Sequence, residues 1–223
     1  MIFIDDQSIF LIMSTNMKSK RPRGRPAKVL GGHNDTRRRL LHAGVEVLTE
    51  AGYSSIGIET ILKREGIPKG SFYHYFDSKE AFGKAVIESY NQFFKKKLAK
   101  HLQSDEHKPL SGFHAFVADA MSGIEKYKFR RGCLIGNLGQ ELSTLPTSFG
   151  DQLTDVFTQW SYLLAEYLKT EQDKGNVDSS IDCTYHSKLF WIGWEGAILH
   201  TKLQKDVEPI RMFVDFYLSG LKA

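Results

Sequence analysis

The sequence predicts an all-α protein in which a small N-terminal helix-turn-helix unit precedes a larger C-terminal helical domain. Three observations predict it. Apolar residues recur at helical spacing along the chain, with no period-two run and no internal repeat. Two short amphipathic segments meet at Glu65-Gly66-Ile67-Pro68, a glycine stop followed by a proline start. The 223 residues, 41% of them hydrophobic, suffice for one small domain plus one moderate core. The expected divisions are a leader and basic arm over 1–34, the helix-turn-helix unit over 35–82 and a regulatory domain over 83–223.

The first helix is expected over 35–51, where Leu41, Val45 and Leu48 share a face and Gly52 ends it. A second, over 55–65, carries Ile58, Ile61 and Leu62. Ser54 or Ser55 is expected to cap it. The third runs from Pro68 to Phe76 and is crowded with aromatics and hydroxyls. Phe72 and Phe76, four apart, face inward, which leaves Lys69, Ser71, Tyr73, His74 and Tyr75 to project outward. Those side chains bind phosphates and read base edges, on a helix small enough for a DNA major groove. Asp77-x-x-Glu80 reads as a capping box that opens a long helix over 77–102.

Gly52-Tyr53, Ile61-Leu62, Gly66-Ile67, Gly70-Ser71-Phe72-Tyr73-His74-Tyr75-Phe76 and Ser78-Lys79-Glu80 together resemble the DNA-binding domain of the TetR family of bacterial transcriptional repressors. The resemblance implies phosphate contacts from Tyr73, Tyr75 and Lys79, with Ser55 taking the place of the family's usual hydroxyl at the second helix. It implies groove contacts from Lys69, Gly70, Ser71 and His74.

Charge points the same way. Lys18 to Arg39 holds nine basic residues against Asp35, or +8, while the whole chain is +4, so the other 201 residues sum to −4. Within this arm, Arg23-Gly24-Arg25-Pro26, preceded by Arg21, resembles an AT-hook, whose arginines reach into a narrow A·T-rich minor groove. The alternative is a solvated basic tail. Residues 1–17 are acidic at Asp5 and Asp6, and their apolar run, Ile9 to Met13, is five long, so no targeting signal is expected and Met13 and Met17 are alternative starts. No apolar run approaches the roughly 18 residues that cross a membrane. Two cysteines, 50 positions apart, fit a reducing cytoplasm.

After a polar connector over 103–109, helices are expected over 110–128, 131–143, 147–173, 183–203 and 206–221. The last two carry Leu189, Phe190, Trp191, Trp194, Ala197, Ile198 and Leu203, then Ile210, Met212, Phe213, Phe216, Tyr217 and Leu221. That is more apolar surface than one thin layer buries, and it predicts a homodimer interface. The alternative is that these aromatics fill the monomer core. Cys133 follows Arg130-Arg131 at a helix start, where cations and the helix dipole favour the thiolate. Asn137, one turn on, and Gln140-Glu141 are placed to orient a small polar ligand. Tyr90, Phe94, Phe113, Phe116, Trp191 and Trp194 are expected to complete the effector pocket with Cys133 and Asn137.

Arg130 to Glu141 and Phe190 to Leu199 are also similar to the acrylate-responsive branch of that family. This implies a small unsaturated acid or reactive carbonyl compound as effector, with release from double-stranded operator DNA on binding. The eight histidines form no His-x-x-x-His pair and no nucleophile elbow is present, so neither an enzyme nor a metal or other cofactor is expected. The remaining alternative is an architectural A·T-rich DNA binder without effector control.

Overall fold

The computed structural model describes residues 33–103 and 108–222. The arm, with Arg21, Arg23 and Arg25, lies outside them. Nine α-helices follow in order among the described residues: α1 His33–Ala51, α2 Ile58–Glu65, α3 Lys69–Phe72, α4 Lys79–Leu102, α5 Ser111–Lys126, α6 Leu134–Gln140, α7 Ser148–Asp173, α8 Cys183–Gln204 and α9 Glu208–Ser219. A 3-10 turn, Leu142–Thr144, joins α6 to α7. None of the described residues forms a strand.

The first three helices and the start of α4 close over one small core. Leu40, Leu41, Val45 and Leu48 of α1 meet Ile61 and Leu62 of α2. Phe72 and Phe76 face inward as expected and pack edge-on or tilted against Phe82, with centroids 5.0 to 5.4 Å apart. Gly66 turns the chain between α2 and α3 at φ 62°, a left-handed conformation that a Cβ would strain.

Two expected caps are different. α2 starts at Ile58 behind Gly57, with no side-chain cap. Ser54 instead shares a hydrogen bond with Thr144 (2.7 Å), and the Ser55 hydroxyl donates to the Ala51 carbonyl. α4 is capped by Ser78, whose Oγ accepts from the Ala81 amide at 3.0 Å. Glu80 is thereby released from a capping box and accepts from Ser148 Oγ of α7 at 2.7 Å. The 131–143 helix is also shorter than expected, because Lys128 and Phe129 both take positive φ and Arg130 to Gly132 stay extended or irregular.

The larger domain is held by stacked aromatics. Phe94 lies flat on Trp160 with centroids 3.8 Å apart, and Phe113, Phe116, Phe190, Trp191 and Trp194 continue the stack through α5 and α8. Gly83 lets α4 approach α7, since a Cβ there would meet Phe149 at 2.6 Å and Tyr53 at 2.8 Å. The apolar load of α8 and α9 divides in two. Phe190, Trp191, Trp194, Ala197, Ile198, Ile210, Tyr217 and Leu221 are buried within the monomer, correcting the expectation that they form the dimer face. Tyr185, Leu189, Ile192, Leu199, Leu203, Met212 and Phe216 remain exposed, Phe216 by 77%.

Phe94 is the tie between α4 and α7, so Phe94→Ala should lower unfolding free energy by about 3–5 kcal/mol in urea denaturation. A loss under about 1 kcal/mol would show that the stack closes over the gap.

Candidate DNA reader and effector cleft

α3 is only four residues long, and the turn after it carries much of the reader. Lys69, Gly70, Tyr73 and His74 are exposed, while Ser71 and Tyr75 are half-buried. A Cβ at Gly70 would meet nothing within 4 Å, so the protein's own packing does not require glycine there. What its bare backbone permits is close approach by something outside. Lys69 forms an exposed ion pair with Glu59 at 2.7 Å. Lys79, expected at a phosphate, instead donates to the Tyr53 carbonyl at 2.8 Å and lies 4.3 Å over that ring. Partial burial there holds its pKa below the usual lysine range.

The second site is a cleft of about 440 Å³ between α7 and α8, lined by Thr154, Phe157, Thr158, Ser161, Lys188, Trp191, Ile192 and Glu195. Of the expected effector residues, only Trp191 lines it. Phe94, Phe113, Phe116 and Trp194 are spent on one another in the stack. The cleft's inner end is polar. Glu195 Oε2 sits 1.9 Å from where a Cβ of Gly136 would be, so the carboxyl rests on bare backbone. Trp191 Nε1 and Glu195 Oε1 are shut from solvent without a hydrogen-bond partner, and the buried Tyr90 hydroxyl, outside the lining, is engaged by the Leu134 backbone and Cys133. Cys133 adjoins them, its Sγ accepting from the Gly136 amide at 3.5 Å.

These surroundings reverse the thiolate expectation. Burial first, and the Glu195 charge second, push the Cys133 thiol well above its ordinary pKa. The two arginines give no help: Arg130 is exposed, and Arg131 turns away to Glu46 (2.9 Å) and Glu50 (2.7 Å). Burial likewise raises Tyr90, and brings Glu195 up to about 7.

Asn137 and Glu141 also leave the pocket. Asn137 Nδ2 donates to the Thr49 carbonyl of α1 at 2.9 Å, and the Glu141 carboxylate accepts the Tyr53 and Ser54 amides at 3.1 and 2.9 Å. Gln140 is exposed and donates weakly to the Gly136 carbonyl. With Arg131, these side chains stitch α6 to the helix-turn-helix unit.

Residues 40–86 match the profile described as bacterial regulatory proteins, tetR family, and residues 109–217 match that of the tetracyclin repressor-like C-terminal domain. The chain is 42% identical to the transcriptional regulator AcuR of Cereibacter sphaeroides over 193 residues, 86% of each chain. It belongs to the TetR family. Other TetR-family relatives include the transcriptional repressor NemR of Escherichia coli K12, 28% identical over 79% of this chain and 89% of that one. Among solved structures, a TetR regulatory protein from Rhodobacter sphaeroides superposes with a TM-score of 0.79 at 40% identity, covering 82% of this chain and 97% of its own. Reduced NemR of E. coli gives 0.76 at 27%, covering 85% and 98%. The protein is thus a DNA-binding transcriptional regulator of the ligand-responsive TetR type.

Sequence reasoning leaves Glu195 open between the pocket and the partner subunit, and it misses the α7 wall of Phe157, Thr158 and Ser161 in this TetR-family cleft. One signal was available: Glu195 is the single charge in Phe190 to Leu199, an otherwise apolar or glycine run.

Arg131 is buried between Tyr127, whose ring lies 4.1 Å away, and two carboxylates that it shares with Arg64. Removing it should therefore act as breaking a buried pair, moderated by Arg64. Arg131→Ala should cost about 3 kcal/mol in denaturant-induced unfolding. A change below about 1 kcal/mol would reduce the seam to a surface pairing.

Proposed function

We propose that the protein is a homodimeric repressor released from its operator by a small unsaturated acid such as acrylate. The observation that carries this reading is the juxtaposition at α6. One side of that helix carries Gly136 against the Glu195 carboxyl, which lines an open cleft together with Trp191, and the other is bonded to the DNA-binding unit. Buried polar groups are normally satisfied, so Trp191 Nε1 and Glu195 Oε1, both left open along one cleft, are best read as awaiting a ligand. The 42% identity to AcuR supports the effector class.

The DNA reading uses Lys69, Gly70, Ser71 and His74 in the major groove, with Ser55, Tyr73, Tyr75 and Lys79 toward phosphates. Arg21, Arg23 and Arg25 add minor-groove and salt-sensitive affinity. Two readers need two copies. Tyr185, Leu189, Ile192, Leu199 and Leu203 follow alternating steps of three and four along α8 when exposed Gly196 is included, which is the seam of a helix pair. Met212 and Phe216 extend it onto α9, giving the self-complementary face of a two-fold dimer. A ligand at Trp191 and Glu195 presses on α6, against which the Glu195 carboxyl rests, and so changes the separation of the readers. Because Cys133 is buried and does not line the cleft, the binding is non-covalent.

Titrating upstream DNA at fixed salt, acrylate should weaken wild type and Cys133→Ser alike. Loss of the response in Cys133→Ser would instead establish a thiol adduct, and no response in either would remove the effector. Separately, Leu203→Glu with Phe216→Glu should yield monomers in sedimentation velocity. A persisting dimer would place the interface elsewhere.

A further inference from the structure

The groups around the inner end of the cleft come from three elements, and their chemistry is unequal. Trp191 of α8 offers an N–H donor with no acceptor, while the buried Tyr90 hydroxyl of α4 is engaged by the Leu134 backbone and the Cys133 thiol. Glu195 of α8 offers a carboxyl whose Oε1 has no partner, although the residue is partly exposed along the cleft. Cys133, capping α6, presents a neutral thiol. The α7 wall contributes Thr154, Phe157, Thr158 and Ser161, none of them charged.

The cations nearby do not neutralise Glu195 directly. Lys202, two turns along α8, has its ammonium 3.4 Å from Asn137 Oδ1 and, by burial, a lowered pKa. Lys188 lines the cleft two turns the other way and is exposed. A carboxylate that enters therefore meets the Trp191 N–H and another carboxyl. Two carboxylates in contact at a largely buried site cannot both be charged; they share one proton.

We propose that Glu195 is the specificity-determining residue, taking a small monocarboxylic acid as a carboxyl–carboxylate pair that holds one proton between them. Trp191 Nε1 supplies a donor to the acid. No covalent bond forms. The proton comes from solvent whenever Glu195 is ionised beforehand, so acid binding is coupled to proton uptake. This rests on the cleft being the effector site, and it adds the state in which the acid is recognised.

The sign follows from burial, which raises Glu195 to about 7. Below that pH the carboxyl already carries its proton and binding is pH-independent. Above it, each bound acid must bring a proton in, and affinity falls about tenfold per pH unit. A neutral amide of the same size needs no such proton.

The test is calorimetric titration of the full-length protein with acrylate from pH 6 to 9, a range in which free acrylate is already ionised. The wild type should show constant affinity to about pH 7 and then the tenfold-per-unit fall. Buffers of different ionisation enthalpy should count close to one proton taken up at pH 8 and close to none at pH 6. Acrylamide should take up none. Glu195→Gln, which keeps shape and a donor, should bind acrylate with a flat profile. A flat wild-type profile, or an unchanged slope in Glu195→Gln, overturns the role of Glu195 while leaving the effector in place. Absence of acrylate binding at every pH overturns the effector reading and this inference together. The wild-type proton count stands whether or not the variant folds.

Discussion

The seven-residue helix α6 and the contacts on either side of it tie the larger helical domain to the helix-turn-helix unit. Arg131 before it, Asn137 on it and Glu141 after it each bond to α1 or to the turn that follows α1. Hydrogen bonds to charged groups contribute about 1.5–3 kcal/mol each, against about 0.5–1.5 for neutral ones. Two charged ties and one neutral one are thus comparable to a sizeable part of a domain's net stability. They suffice to fix the orientation of the reader, yet each is separately breakable.

The aromatic stack has the opposite character. Phe94, Phe116, Trp160, Phe190, Trp191 and Trp194 interlock across four helices at ring separations of 3.8 to 6.5 Å. Interiors packed in this way resist local deformation and transmit strain rather than absorb it. Trp191 belongs to this block and also lines the cleft, so the cleft opens directly onto the packed core.

The helix-turn-helix unit was largely legible in the sequence. Helical periodicity over 35–76, Gly66 and Pro68 suffice to place α1 to α3 and to turn Phe72 and Phe76 inward. The division of α8 was not legible, because its apolar residues occupy all sides, and a helix hydrophobic all round gives no phase that separates core from interface. Asn137 and Glu141 were placed near Cys133 correctly but given a ligand to hold, since spacing fixes which residues are neighbours along a helix and not what faces them. Cys133 shows the same limit. Arg131 is adjacent in sequence, but the positive-φ residues Lys128 and Phe129 precede a segment that sends it to Glu46 and Glu50.

Gly136 gives the arrangement an evolutionary edge. The space a β-carbon would need is already filled by the Glu195 carboxylate, 1.9 Å away, while the helix itself would accept alanine readily. A single-base change from glycine to alanine would thus set one methyl group against the Glu195 carboxyl while leaving the helix-turn-helix segment over 40–86 unaltered in sequence, so the two matched domains are open to change one at a time.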